Sequence, residues 1–79
     1  MSDLRKQVYT LIANILEVKV DVINDELAIG DIAEWDSLGH MRIIAALETE
    51  MGIILDIEQT LEIEDVEDII DAVTASKSV

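Results

Sequence analysis

The chain has 79 residues, no cysteine, one histidine, and 18 acidic against five basic side chains, which gives a formal net charge of −13. Lack of cysteine excludes a disulfide scaffold and a zinc finger, and no metal site is expected; a negative field of this size also excludes binding to nucleic acid phosphates. With 51% hydrophobic residues the sequence is too apolar for a disordered tail, and residues 1–79 are expected to form one small domain.

The first predicted element is an amphipathic helix. Apolar residues such as Leu4, Val8 and Leu11 recur every three or four positions, which predicts a helix over about residues 3–17 with Ser2 as its N-cap. Polar and charged residues interrupt the stretch, so it is interpreted as a helix and not as a signal peptide, and a cytoplasmic protein is expected. No later aliphatic run approaches the length that crosses a bilayer, so membrane insertion is not expected.

A long loop and three further helices follow. Residues 19–35 keep neither a strand nor a helix period, which predicts a loop held to the core by scattered apolar side chains. Asp36 begins a second helix that ends before Gly52, a short helix is expected around residues 57–62, and Asp65 caps the last helix. The predicted fold is all-α: a small four-helix bundle of three main helices and one short helix, with a long loop between helices one and two.

The second helix has two faces of different character. On a helical wheel that starts from Leu38, Ile43 and Leu47 point toward the core on the opposite side. The other face carries Leu38, Met41, Arg42 and Ala45. Apolar side chains that gather beside one arginine near a helix start predict a surface on which partner proteins dock.

Ser37 stands in the first turn of this helix, directly after the predicted N-cap Asp36. Its hydroxyl is expected at the exposed, positively polarised helix end, where a phosphate ester is favoured. Aspartate and serine are common starters of any helix, so this physics alone assigns no function.

The run Asp36-Ser37-Leu38, after a long apolar loop and before an acidic second half, resembles the acyl carrier proteins, and the resemblance extends over essentially the whole chain. It implies a non-catalytic carrier in which Ser37 is esterified by 4′-phosphopantetheine, taken from coenzyme A by a phosphopantetheinyl transferase. The thiol of this arm holds acyl groups as thioesters, and Asp36 faces the modifying enzyme. A protein without cysteine can carry out thiol chemistry only with such an imported thiol.

Two positions differ from carriers of bulk fatty-acid synthesis, which usually have acidic residues where this chain has Gly39 and Arg42. The run from Trp35 to Met41 is similar to stand-alone carriers of polyketide, nonribosomal peptide or polysaccharide-modifying pathways. We therefore expect a specialised biosynthetic pathway in which a ligase loads the cargo.

Charge suggests how the later enzymes of such a pathway are bound. Ten acidic residues, with no Lys or Arg between Ile43 and Ser76, predict downstream enzymes with basic docking surfaces, and we expect the carrier to be monomeric. Two alternatives stay open: a peptidyl or aminoacyl carrier, and an acidic helical interaction domain without a prosthetic group.

Overall fold

Four α-helices and one 3₁₀ turn account for the regular structure of residues 4–77, the part of the chain that the computed structural model describes. They are α1 (Leu4–Leu16), a 3₁₀ turn (Val20–Val22), α2 (Ser37–Glu50), α3 (Ile57–Glu62) and α4 (Val66–Lys77). The prediction of an all-α, four-helix fold with a long connection between the first two helices is therefore confirmed. The predicted N-cap Ser2 lies outside the described residues.

Aspartate side chains begin three of the helices. Asp36 and Asp65 each accept a hydrogen bond at 2.8 Å from the backbone N–H three residues later, as the sequence predicts for both. Asp56 forms a reciprocal capping box with Gln59 at the start of α3. Because each cap satisfies an N–H group that has no partner inside its own helix, these three starting points are fixed locally.

Two helices end in a left-handed turn, one at glycine and one at glutamate. Gly52 follows α2 with a φ of 66°, and Glu17 follows α1 with a φ of 60°. At the end of α1 the backbone N–H of Val18 donates to the carbonyl of Ala13 at 3.0 Å, which is the bond of a Schellman motif. Glycine adopts this conformation freely, whereas the β-carbon of Glu17 makes it unfavourable.

The core is a single cluster of 18 buried apolar residues, and no polar or charged residue is buried among the described residues. Helix α2 contributes Ile43 and Leu47, both fully buried, while Ile44 and Met51 pack against the cluster from its edge. The predicted core face of α2 is therefore confirmed. Burial of the aliphatic side chains is the main favourable term in the stability of a chain without disulfides.

The long loop is bonded to the start of α4. Backbone N–H groups of Ile29, Val66 and Glu67 make cross-bonds of 2.9 to 3.1 Å between the loop and the segment around the start of α4. Asp25 adds a tie to α1, because its carboxylate accepts hydrogen bonds from the Tyr9 hydroxyl and from Arg5.

Only part of the loop's apolar side chains reach the core. Ile23, Leu27 and Trp35 are buried, but Val22 and Ile29 are exposed, so the prediction that scattered apolar side chains hold the loop to the core is confirmed only in part. The backbone hydrogen bonds to the start of α4 hold the loop where these exposed side chains do not.

Candidate functional site

Ser37 is the first residue of α2 and its side chain is exposed. The Ser37 hydroxyl makes no hydrogen bond to any residue between 4 and 77. Asp36 precedes it with its carboxylate bonded to the third N–H of the helix, so the start of α2 is held while the hydroxyl stays open to solvent. A phosphodiester formed on this oxygen would lie at the positive end of the helix dipole and replace no existing contact.

Gly39 allows the loop to lie directly on the first turn of α2. A β-carbon at this position would be 2.6 Å from the backbone carbonyl oxygen of Glu34 and 3.0 Å from the Leu16 side chain. Every other residue would therefore push the loop that leads into Ser37 away from the helix. The sequence showed Gly39 only as a departure from an acidic pattern, because the close approach depends on tertiary structure.

Trp35 and His40 link the loop, α2 and α3. The fully buried Trp35 donates its indole N–H to Nδ1 of His40 at 3.0 Å, and the two rings stack with centroids 6.0 Å apart. Burial lowers the pKa of His40, while the carbonyls of Thr60 and Ile63 act in the opposite direction. Since Nδ1 accepts the indole hydrogen, the neutral ring carries its proton on Nε2. Trp35 is thus a packing residue of the core, and His40 is half-buried and hydrogen-bonded beside it.

The face of α2 that the sequence assigns to docking is solvent-exposed. Leu38 is 59% and Met41 69% exposed, and Arg42 and Ala45 are also exposed. The helical-wheel assignment is thus correct in orientation, and docking of partners on this face stays a prediction.

A second apolar surface, on and just before α3, was not found by sequence reasoning. Ile54, Ile57 and Leu61 are 87%, 76% and 75% exposed. Their spacing of three and four residues is the same as that of a core-facing helical stripe, so the pattern alone does not distinguish the two cases. The residues that do enter the core from this region are Ile53, Leu55 and Ile63. The sequence did contain one signal for this surface. Ile53, Ile54 and Leu55 are adjacent apolar residues, and where successive side chains alternate in direction at least one of the three must face outward.

Two surface depressions lie at opposite ends of α2. One groove, beside the start of the helix, is lined by Glu17, Glu34, Asp36, Leu38 and Arg42 among others. The other cleft lies between α1 and the end of α2, about 20 Å along the helix axis from Ser37. The first groove therefore belongs to the surroundings of Ser37 and the second does not.

Comparison with known proteins identifies the family. The sequence profile described as "Phosphopantetheine attachment site" matches residues 6–73. The chain belongs to this family. A search of curated protein sequences found no significant match. Among solved structures, the fold is similar to the solution NMR structure of holo acyl carrier protein from Geobacter metallireducens, with a TM-score of 0.86 at 23% identity, over 98% of this chain and 88% of that one.

Members of the phosphopantetheine attachment family are carriers and not catalysts, and their cofactor is a covalently attached 4′-phosphopantetheine. The residues present fit this group, because an exposed hydroxyl without a hydrogen bond stands at a capped helix start. Within residues 4–77, no helix is long and apolar enough to cross a membrane.

Proposed function

We propose that the chain is an acyl carrier protein whose 4′-phosphopantetheine is attached to Ser37. The observation that carries this proposal is the open hydroxyl at the Asp36-capped start of α2. Ser37 is also the only serine in residues 6–73, the range that the family profile covers. If the group is attached to a serine within this range, that serine is Ser37.

The residues around Ser37 have separate tasks in this proposal. Asp36 holds the first turn, so that the hydroxyl is presented at a fixed position to the modifying enzyme. The N-terminal end of α2 stabilises the negative charge of the phosphodiester, an effect of about 0.3–1 kcal/mol at an exposed site. The attached arm supplies a thiol that holds acyl groups as thioesters, and no residue of the chain needs to act as acid, base or nucleophile in that chemistry.

We infer further that this carrier serves a specialised pathway, as a monomer in the cytoplasm with residues 1–79 as one carrier domain. Gly39 and Arg42 support the specialised role, since both replace the acids usual in bulk fatty-acid carriers. A net charge of −13 opposes self-association and favours partners with basic surfaces away from Ser37. A ligase that loads acyl or aminoacyl cargo and downstream enzymes that use it complete the set of partners.

The attachment site is tested by intact mass after incubation with coenzyme A, magnesium and a phosphopantetheinyl transferase. We expect the mass of one arm to be added per chain, with none added to Ser37→Ala. Ser76→Ala, a serine outside the matched range, serves as the control and should be modified like the unchanged protein. Addition of an arm to Ser37→Ala would refute the assignment of the site.

The cargo class is tested on carrier purified from its native cells. Release of the thioester-bound group with hydroxylamine, followed by mass spectrometry, separates an acyl carrier from an aminoacyl or peptidyl carrier. An amine-containing cargo would replace the acyl proposal and leave the attachment site unaffected.

A further inference from the structure

Arg42 is the only Lys or Arg between Val20 and Ser76, in a chain whose net charge is −13. It is exposed on the second turn of α2, about 7.5 Å along the helix axis from Ser37. An enzyme that docks on the exposed face of α2 while it reaches the Ser37 hydroxyl would therefore contact Arg42 as well.

The surroundings of Arg42 leave its charge available to a partner. Its side chain makes no ion pair or hydrogen bond with the described residues, although Glu17, Glu34 and Asp36 line the same groove. In the described part of the chain, the ion pair is formed by Arg5 and Asp25, and neither residue lines this groove. Arg42 is thus not used to compensate the chain's own acids.

The rest of this face is apolar and carries no other charge. Leu38, one turn before Arg42, and Met41 are more than half exposed on this side of α2. His40 does not add to this face, because its ring is half-buried and bonded to the Trp35 indole, and burial lowers its pKa. After Asp36, the next acidic residue along α2 is Glu48, three turns from the start of the helix.

We propose that the phosphopantetheinyl transferase that modifies this chain presents a carboxylate to Arg42, within an apolar contact that receives Leu38 and Met41. The inference rests on the proposed function, since it requires Ser37 to be the site of modification. A buried arginine without an opposite charge is costly, so a partner surface that covers Arg42 must supply an acceptor there. The carrier would then present one positive charge on the exposed face of α2, next to the acids of the adjoining groove, and a uniformly basic partner surface would not match that charge.

The test compares rates of arm transfer with coenzyme A and one purified transferase that intact mass has shown to modify the unchanged protein. Arg42→Glu should lower kcat/KM about tenfold at low salt, mainly through KM, with a smaller loss at high salt. Arg42→Lys should keep most of the rate, because it keeps the charge.

Lys6→Glu is the matched control, since it makes the same change in charge at an exposed site beside the cleft at the far end of α2. We expect it to change kcat/KM by less than about twofold. Circular dichroism should show equal helix content for all variants, because both positions are exposed.

The direction in which Arg42→Glu changes kcat/KM, compared with Lys6→Glu, tests the inference. If Arg42→Glu matches Lys6→Glu or raises kcat/KM, the transferase surface facing α2 is neutral or basic and the inference is wrong. If Arg42→Glu is slow, single Asp or Glu to Lys changes near the transferase's coenzyme A site should include one that restores its rate, and failure of every such change would also overturn the inference. A chain that no transferase modifies at all would instead refute the proposed function.

Discussion

Gly39→Ala is the substitution that most directly tests how the start of α2 is built. The added β-carbon would be 2.6 Å from the Glu34 carbonyl oxygen, whereas C···O contacts in proteins are about 3.3–3.6 Å. The loop must therefore move by about 0.7 Å to accommodate one methyl group. Because Asp36 and Ser37 connect that loop to the helix, this movement displaces the cap and the serine together.

Two opposite effects set the change in stability. Overpacking costs about 1–3 kcal/mol, and the better helix propensity of alanine returns about 1 kcal/mol. We expect a net loss of about 1 kcal/mol, which lowers Tm by roughly 4–8 °C in a domain of this size. The modification rate should fall further than the loss of folded protein explains, since small displacements of a reacting group reduce rates steeply.

Gly52→Ala is the control, because Gly52 has a positive φ, which Gly39 does not, and has no atom within 4 Å of an added β-carbon. It should lose about 1 kcal/mol through backbone strain alone and be modified at the normal rate while folded. Thermal melts and initial rates of arm transfer, measured on both variants below their Tm, separate the two effects. A Gly39→Ala protein as stable and as rapidly modified as the unchanged chain would refute the view that the close approach positions Ser37.

Three further substitutions test separate features of the fold. Glu17→Gly should raise the free energy of unfolding by about 1 kcal/mol in chemical denaturation, because glycine adopts the φ of 60° without strain; Glu17→Gln should not. Leu47→Ala should lower the free energy of unfolding by about 2–5 kcal/mol, and Leu38→Ala should lower it much less, because only Leu47 is buried. Thermal melts of the two variants check this, and a larger loss for Leu38→Ala would show that the assigned faces of α2 are wrong. The hydrogen bond from Tyr9 lowers the pKa of Asp25, so this carboxylate stabilises the fold at neutral pH and loses that effect as the pH falls below about 4 and through the folded-state pKa. Asp25→Asn should therefore lower the free energy of unfolding at pH 7, and the loss should shrink as the pH falls; a loss that is the same at every pH would contradict this.

Local features of this chain could be predicted from its sequence. The helix bounds follow from apolar periodicity, and the starts of α2 and α4 follow from Asp36 and Asp65, because a cap needs only a side chain and an N–H three residues away. The interactions concerned span a few residues, so pattern and chemistry are enough to locate them. Ser37 was singled out differently: local physics assigned it no function, and the resemblance of the chain around Asp36-Ser37-Leu38 to the acyl carrier proteins pointed to it.

The features that sequence reasoning missed depend on the path of the backbone and on packing between segments, which a residue pattern does not specify. The contact that requires Gly39 depends on how the loop turns at Glu34 and on the end of α1, and the tie of Asp25 to Arg5 spans 20 residues. The outward direction of Ile57 and Leu61 depends on how α3 packs, since their helical spacing equally fits a buried stripe. Neither type of information is present in a single segment read alone.

Under the proposed function, the division of residues within α2 explains how one short helix can serve both stability and partner choice. Ile43 and Leu47 are fully buried, and substitution there acts on folding. Leu38, Met41 and Arg42 are exposed and contribute little to the core, so they can change without unfolding the domain. Selection of partners can therefore act on these positions nearly independently, and an arginine can replace the acid of a related carrier at small cost to the fold. Under the proposed function, the specificity of this carrier is accordingly expected in the charge and shape of the exposed face beside Ser37, while the capped helix start is the proposed attachment site.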